Sequence, residues 1–192
     1  MTARTHDLAA FTTLTIVYLS QPARTLTLST LILSVVACLI GGITPDIDQP
    51  TAPFWRNLPI LKFFGKYFDN LVGGHRFITH SILGLALFGF LAHFLLVFFT
   101  PVMPHVDTGY VWWAYMIGMV SHLVMDSFTK EGVPWLLPVP IKFGFPPVKS
   151  WRVTTGKHVE TLIIFPALVV LTLTYLYTHS AEILNLLHHY LV

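Results

Sequence analysis

The sequence predicts an all-α protein, a polytopic membrane helical bundle with four or five transmembrane helices. Hydrophobic residues make up 54% of its 192 residues and charged residues only 10%, and the mean hydropathy is +0.69. Soluble domains do not reach this balance, because they need a polar surface to face water. Neither a serine- and glycine-rich linker nor an internal repeat divides the chain. We therefore expect residues 1–192 to form a single integral-membrane domain.

The predicted membrane spans are apolar stretches close to the length of the hydrocarbon core. Four of them are expected to cross completely: residues 26–43, 82–99, 110–128 and 162–177. A shorter apolar stretch at residues 8–19 is either a fifth, tilted span or a re-entrant hairpin. Arg4 before this stretch also fits a signal peptide, but no cleavage signature follows it, so we expect the stretch to be retained.

Candidate metal ligands occur at the ends of these stretches. A chain that crosses at each stretch returns all of them to one face of the membrane: His6, Asp46, Asp48, His75, His80, His122, Asp126 and Glu160. Ionisable groups are costly at the border of the hydrocarbon, so their convergence indicates a functional site. All lysine and arginine residues except Arg24 fall on the same face, which the positive-inside rule places in the cytoplasm. Binding of substrate phosphate by some of these cations is the alternative explanation.

The first ligand pair lies in residues 44–48, which read T-P-D-I-D. Proline discourages continuation of the preceding helix, and an extended D-x-D points both carboxylates to one side. Asp46 and Asp48 would then offer oxygen donors to divalent cations. A capped turn at the end of the helix is the structural alternative.

The second ligand pair flanks Arg76 in residues 74–81, which read G-H-R-F-I-T-H-S. Histidine is the commonest metal ligand, which makes His75 and His80 candidates. The guanidinium of Arg76 offers a planar fork to a phosphate or carboxylate. Alternatively, one histidine caps the following helix and Arg76 lies among lipid headgroups.

The third pair is His122 and Asp126. Because they are four residues apart, both side chains lie on one face of a helix, where they can hold one cation. A hydrogen-bonded His-Asp pair inside the bundle is the structural alternative. Mixed His and Asp ligands suit zinc, manganese or iron.

Together these motifs resemble the YdjM-like family of inner-membrane, metal-dependent hydrolases. The resemblance rests on P-D-I-D at residues 45–48, G-H-R-x-x-T-H-S at 74–81, S-H-x-x-x-D at 121–126, T-x-x-G-V-P at 129–134 and G-x-x-x-E at 156–160. It implies an inner-membrane hydrolase whose His and Asp residues bind metal. Phe77 departs from the family, in which glycine is expected after His-Arg.

A more distant similarity is to zinc phospholipase C and related nucleases, which use a His-x-x-x-Asp helix, early His and Asp ligands and a late Glu. It implies phosphoester hydrolysis at a cluster of divalent metal ions, with zinc preferred over manganese or iron. Gly156 stands where those enzymes have a further histidine, so two ions rather than three are expected. Arg76 would hold a phosphoryl oxygen, and Asp48 would accept a proton besides binding metal.

Two connectors on the ligand face suggest where a substrate arrives. Leu61, Phe64, Phe68 and Leu71 have helical spacing, which fits an amphipathic helix in the membrane interface or an ordinary packed helix. Residues 133–148 contain five prolines and are expected to form an irregular interfacial cover. Membrane lipids are therefore the expected partners, and a lipid or lipid-linked phosphoester is the expected substrate.

Other functions fit parts of the pattern. A divalent-metal transporter or a metal-binding membrane scaffold would use the same ligands, although a transporter places ionisable groups near the middle of the membrane. A di-iron oxidase would need paired Glu-x-x-His motifs. Specific nucleic-acid binding is not expected, because the sequence has no stacking platform or dense basic stripe. The pattern leaves the oligomeric state open.

Overall fold

The computed structural model of the protein describes residues 1–21, 26–49, 78–139 and 141–191. These ranges contain no β-strand and form six α-helices, which confirms the all-α prediction. The helices are α1 (Ala3–Leu19), α2 (Leu28–Ile43), α3 (Ile82–Phe99), α4 (Thr108–Ser127), α5 (Phe165–Thr178) and α6 (Ser180–Leu191). The expected amphipathic helix at residues 61–71 lies outside the described residues.

Within the described residues, three helical segments are long and apolar enough to cross a membrane: Leu28–Asp48, Ile82–Val102 and Glu160–Thr178. They contain α2, α3 and α5, and they match three of the predicted spans. The predicted span at residues 110–128 forms α4, which packs against α1, α2 and α3. Residues 8–19 lie within α1, so this stretch is one continuous helix rather than a re-entrant hairpin.

Glycines allow α2 and α4 to pack backbone against backbone. A Cβ atom on Gly118 of α4 would overlap the carbonyl oxygen of Cys38 in α2, and one on Gly41 would overlap the carbonyl oxygen of Tyr115. Small residues are the usual means of such close approach between membrane helices, because packing rather than hydrophobicity drives their association. This contact fixes the position of His122, which lies one turn after Gly118, against the end of α2.

Hydroxyl groups allow α1 to run through the apolar bundle. Thr13 and Thr15 donate hydrogen bonds of 2.8 Å to backbone carbonyls four residues earlier. The hydroxyl oxygen of Thr12 lies 2.6 Å from that of Thr172 in α5. These bonds satisfy the hydroxyl groups of α1 within the apolar bundle, where α1 packs against both α4 and α5. Its first turns, which carry His6, lie at the end of the bundle where α4 terminates.

An irregular loop joins α4 to the helix that leads into α5. Val133 is fully buried and exchanges two backbone hydrogen bonds with Phe143, of 2.8 and 2.9 Å. The guanidinium of Arg152 lies against Gly144 and donates to the carbonyl of Pro146 at 2.7 Å. The predicted irregular cover at residues 133–148 is therefore confirmed as irregular, apart from residue 140, and it is internally braced.

Candidate metal centre

Four donor atoms meet at one end of the bundle. Asp46 Oδ1 lies 3.6 Å from both His80 Nε2 and His122 Nε2. Asp126 Oδ2 lies 3.7 Å from His80 Nε2 and 3.8 Å from His122 Nε2. A tetrahedral zinc ion with ligands about 2.0–2.1 Å away keeps neighbouring donors about 3.3–3.4 Å apart. The observed spacings are therefore only slightly wider than those of an ion-bound set.

His6 from α1 approaches the same carboxylate from its other oxygen. Its Nε2 lies 3.1 Å from Asp126 Oδ1, and the main-chain nitrogen of Met1 contacts that oxygen as well. The rings of His6 and His122 are stacked, with centroids 3.7 Å apart and planes 10° from parallel. His6, His122 and Asp126 form one group whose spacing could hold a metal ion, and Asp46, His80 and His122 form another.

Several of these buried nitrogens have no hydrogen bond within the described part of the chain. Both ring nitrogens of His6 and Nε2 of His122 are in this state, since the 3.1 Å contact of His6 with Asp126 lacks hydrogen-bond geometry. His6 and His122 are almost completely inaccessible to solvent. Because a buried polar atom without a partner costs free energy, such atoms aimed at carboxylates fit a metal site. The predicted alternative, a direct His122-Asp126 hydrogen bond, is not formed at 3.8 Å.

The surroundings of the histidines also affect their protonation. Burial, followed by the proximity of His122, lowers the pKa of His6 to about 3, so this ring is neutral at physiological pH and able to coordinate. Burial alone would lower the pKa of His80, but the nearby carboxylates of Asp46 and Asp48 outweigh burial and raise it. His80 therefore lies in surroundings that favour a cation.

The Nδ1 atoms of two histidines contact oxygen atoms that lie outside the candidate donor groups. His122 Nδ1 lies 2.6 Å from the carbonyl oxygen of Gly42 and donates to it. His80 Nδ1 lies 3.0 Å from Thr79 Oγ1 and 3.5 Å from Asp48 Oδ2. Thr79 in turn donates its hydroxyl proton to Asp48. Contacts of this kind orient the rings of metal-binding histidines, so that Nε2 faces the metal.

The expected extended D-x-D is wrong, because residues 44–48 form a 3₁₀ turn. Pro45 is tolerated there, since a proline in the first turn of a helix loses no required hydrogen bond. Residues two apart in a 3₁₀ helix do not share a side. Asp46 consequently faces Nε2 of His80 and His122, whereas Asp48 lies behind His80. Asp48 is absent from both donor groups that could hold a metal.

Glu160 occupies a separate position at the same end of the bundle. Its Oε1 accepts hydrogen bonds from Thr2 N at 2.6 Å and from the hydroxyls of Thr2 and Thr5 at 2.7 Å each. Its Oε2 accepts from Gly156 N at 2.7 Å. The fully buried carboxylate thus joins the start of α1 to a π-helical turn at Glu160–Ile164, and neither candidate metal group includes it.

Not all predicted site residues can be located. His75 and Arg76 lie outside the described residues, so their roles stay predictions. The sequence pattern leaves Thr79 as either a supporting hydrogen-bond donor or a helix-start residue and favours the second, and it indicates no role for Thr2 or Thr5. Thr79 offered one local signal, its position next to His80. Thr2 and Thr5 offered none, because their partner Glu160 is 155 or more residues away.

The fold and this cluster define a multi-pass membrane protein with histidines and aspartates at one end of its helix bundle, in groups that could hold a metal ion. The sequence model of the YdjM inner membrane protein family matches residues 1–185. The chain therefore belongs to the YdjM family, which confirms the resemblance and indicates an inner-membrane protein. The more distant similarity to phospholipase C stays a prediction.

Individual relatives agree with this assignment. The chain is similar to the uncharacterized protein YvsG of Bacillus subtilis, with 30% identity over 125 residues, which cover 65% of this chain and 67% of YvsG. It is 33% identical to the inner membrane proteins YdjM of Escherichia coli and Shigella flexneri over 122 residues, which cover 59% of this chain and 51% of each relative. The match thus spans about half the length of the YdjM proteins. No solved structure matches the chain.

Proposed function

We propose that the protein is a membrane-bound, metal-dependent hydrolase that cleaves a phosphoester in a lipid or lipid-linked substrate at the cytoplasmic face. The observation that carries the proposal is the position of Asp126. One of its carboxylate oxygens faces His6, and the other faces His80 and His122. A carboxylate between two donor sets is suited to bridge two ions. Pairs of metal ions about 3.5–4 Å apart are widespread in phosphatases and nucleases.

The stacking of His6 on His122 supports two ions rather than one. The lone pair of each Nε2 lies in the plane of its ring, and the two planes are 10° from parallel with centroids 3.7 Å apart. Lone pairs that lie in two separate, nearly parallel planes do not converge on a single point. Each ring is therefore better suited to an ion of its own.

The donors divide accordingly. In our proposal, Asp46, His80 and His122 would hold one ion, His6 would hold the second, and Asp126 would contribute to both. His75 joins this centre on the sequence pattern alone. Zinc is our first choice because the set mixes imidazole and carboxylate, with manganese and iron as alternatives. When bound, such ions polarise a phosphoryl oxygen and lower the pKa of a coordinated water.

Other residues orient the site and handle protons. Asp48 and Thr79 keep Nδ1 of His80 engaged, so that its Nε2 faces the centre. We propose Asp46, whose side chain is 19% exposed, as the proton acceptor in place of Asp48, which is fully buried. Arg76 is proposed to hold a nonbridging oxygen of the substrate phosphate, which its planar guanidinium suits better than a lysine would.

Metal stoichiometry tests this arrangement. Elemental analysis of detergent-purified protein should find two ions in the wild type, one in His6→Ala, one in His80→Ala and fewer than one in Asp126→Ala. His105→Ala, in an exposed histidine of the α3–α4 connector, is the matched control and should keep two. Circular dichroism of each variant checks folding. Full occupancy in all three site variants would contradict the proposed centre.

Activity separates the hydrolase from the other candidate function, a divalent-metal transporter or scaffold. The border position of the donors favours the hydrolase, because Asp46 and His80 lie at the ends of membrane helices and not at their midpoints. Metal-stripped and metal-replete protein should be compared on a panel of phospholipids and lipid phosphates. Hydrolysis restored by metal is expected. Metal uptake into proteoliposomes without any hydrolysis would favour the transporter instead.

A further inference from the structure

Apolar side chains cover the outer surface of the loop between α4 and Glu160. We call residues 133–139 and 141–151 the cap loop. Large exposed side chains include Trp151 at 75%, Phe145 at 61%, Ile141 at 56% and Leu136 at 52%. Such a dense set of exposed hydrophobic residues outside a membrane span indicates a surface that is covered by something apolar.

Hydrogen bonds place the cap loop at the membrane border. The backbone N–H of Ile82, the first residue of α3, donates to the carbonyl of Trp135 at 3.0 Å. The indole N–H of Trp135 donates to Ser127 Oγ, at the end of α4, at 2.9 Å. The loop is thus attached to the start of one candidate membrane span, and the chain enters another at Glu160. Ile82, to which the loop is bonded, is itself 51% exposed.

The charge of the loop favours an anionic partner. Exposed Lys142 lies between Ile141 and Phe143, and exposed Lys149 lies between Val148 and Trp151. Residues 133–151 contain no acidic side chain. Aromatic residues interleaved with lysines are typical of segments at the level of lipid headgroups, where the rings enter the acyl boundary and the ammonium groups meet phosphates.

The cap loop is also braced before it meets a partner. Arg152 donates to the carbonyls of Pro146 and Pro147, at 2.7 and 3.1 Å, and Val133 pairs with Phe143. A loop held in one conformation loses little conformational entropy when it docks. More of the free energy gained by burying its exposed side chains is therefore available for binding.

We propose that the cap loop docks into the headgroup region of an anionic lipid membrane, with Phe145 and Trp151 in the acyl boundary and Lys142 and Lys149 on lipid phosphates. The inference does not depend on the proposed hydrolase. It defines a lipid-binding surface next to the candidate metal centre, and it assigns the exposed apolar face to lipid rather than to a protein partner or a second copy of the chain.

A fluorescent probe at position 151 tests this proposal. In a Cys38→Ser background, Trp151→Cys is labelled with an environment-sensitive dye, and the full-length protein is placed in nanodiscs of phosphatidylcholine with or without phosphatidylglycerol. Thr155→Cys, an exposed polar position four residues further on, is the matched control. The probe at 151 should show blue-shifted emission and quenching by lipids spin-labelled on the acyl chain, whereas the probe at 155 should show neither.

Charge reversal adds a second measurement. Lys142→Glu and Lys149→Glu should each reduce the ratio of docked to undocked loop about fivefold or more in anionic nanodiscs, without an effect on folding. Water-like emission at position 151 in both bilayers would overturn the proposal. A blue shift that persists in detergent and grows with protein concentration would also overturn it, in favour of contact with a second copy. Equal quenching of both probes would show that the cap loop is not specifically docked.

Discussion

Replacement of Asp48 by asparagine tests whether this carboxylate binds metal or orients a ligand. Asp48 accepts the hydroxyl proton of Thr79 and lies 3.5 Å from His80 Nδ1. Asparagine keeps the size and one acceptor oxygen but removes the negative charge, so His80 becomes less basic. Loss of such a supporting group weakens metal binding about 10–100-fold, or about 1.4–2.8 kcal/mol. At saturating metal, Asp48→Asn should still bind as many ions as the wild type.

The assay is a metal titration of detergent-purified protein against a chromophoric chelator, with thermal unfolding measured in parallel. Thr79→Val is the companion variant: it removes the hydroxyl that links Asp48 to His80 and should weaken binding in the same direction. Asp46→Asn is the contrasting variant, because it removes a proposed donor and should lower the number of ions bound. If Asp48→Asn loses one ion at saturation, Asp48 is a direct ligand, as the sequence analysis predicts. An unchanged affinity would show that the carboxylate does not act through His80.

Further predictions address the other assigned roles. Arg76→Ala should keep the metal content and reduce phosphoester hydrolysis on the order of a hundredfold, with partial recovery in Arg76→Lys; full activity in the alanine variant would exclude a phosphate-binding role. Glu160→Gln should keep both ions but lower the free energy of unfolding by about 1–3 kcal/mol, because the NH2 group of glutamine cannot accept the backbone N–H hydrogen bond that a carboxylate oxygen accepts. Loss of an ion would identify Glu160 as a ligand. Gly118→Ala should destabilise the protein by roughly 1–3 kcal/mol in thermal unfolding, and an unchanged melting temperature would contradict the close α2–α4 contact. In a background without the native cysteine, a cysteine at Lys149 should be protected from a membrane-impermeant thiol reagent in intact cells while one at His105 is labelled, and the reverse result would refute the cytoplasmic orientation.

Much of the fold follows from the sequence because it depends on local pattern. Apolar stretches about as long as a membrane is thick predicted α2, α3 and α5, and the helical spacing of His122 and Asp126 predicted that both would face one side of α4. The number of membrane crossings predicted that the ends of separate helices lie at the same membrane face. The contacts of His6 with Asp126 and of His80 with Asp46 agree with that count.

The 3₁₀ turn at residues 44–48 shows where local pattern fails. Two carboxylates spaced as D-x-D share a side in an extended chain but not in a helix with three residues per turn. Proline is compatible with either conformation, since it fixes φ and removes one N–H in both. The choice depends on how the end of α2 packs against α4. Asp46 and Asp48 were therefore both predicted as metal ligands, whereas the fold turns Asp46 towards the donor cluster and places Asp48 on the Nδ1 side of His80.

The same reasoning explains why sequence cannot separate a metal ligand from a supporting residue. Asp, Glu and His serve in both roles, and the difference lies in how many hydrogen bonds the fold provides to each atom. Glu160 receives four from partners that include Thr2 and Thr5 at the opposite end of the chain, so its charge is already stabilised without a metal. Nε2 of His6 and Nε2 of His122 receive none within the described residues, although both are buried beside a carboxylate. A metal ion would give such atoms a partner, and this contrast favours a position of the proposed ions between His6, Asp126 and His122 rather than at Glu160.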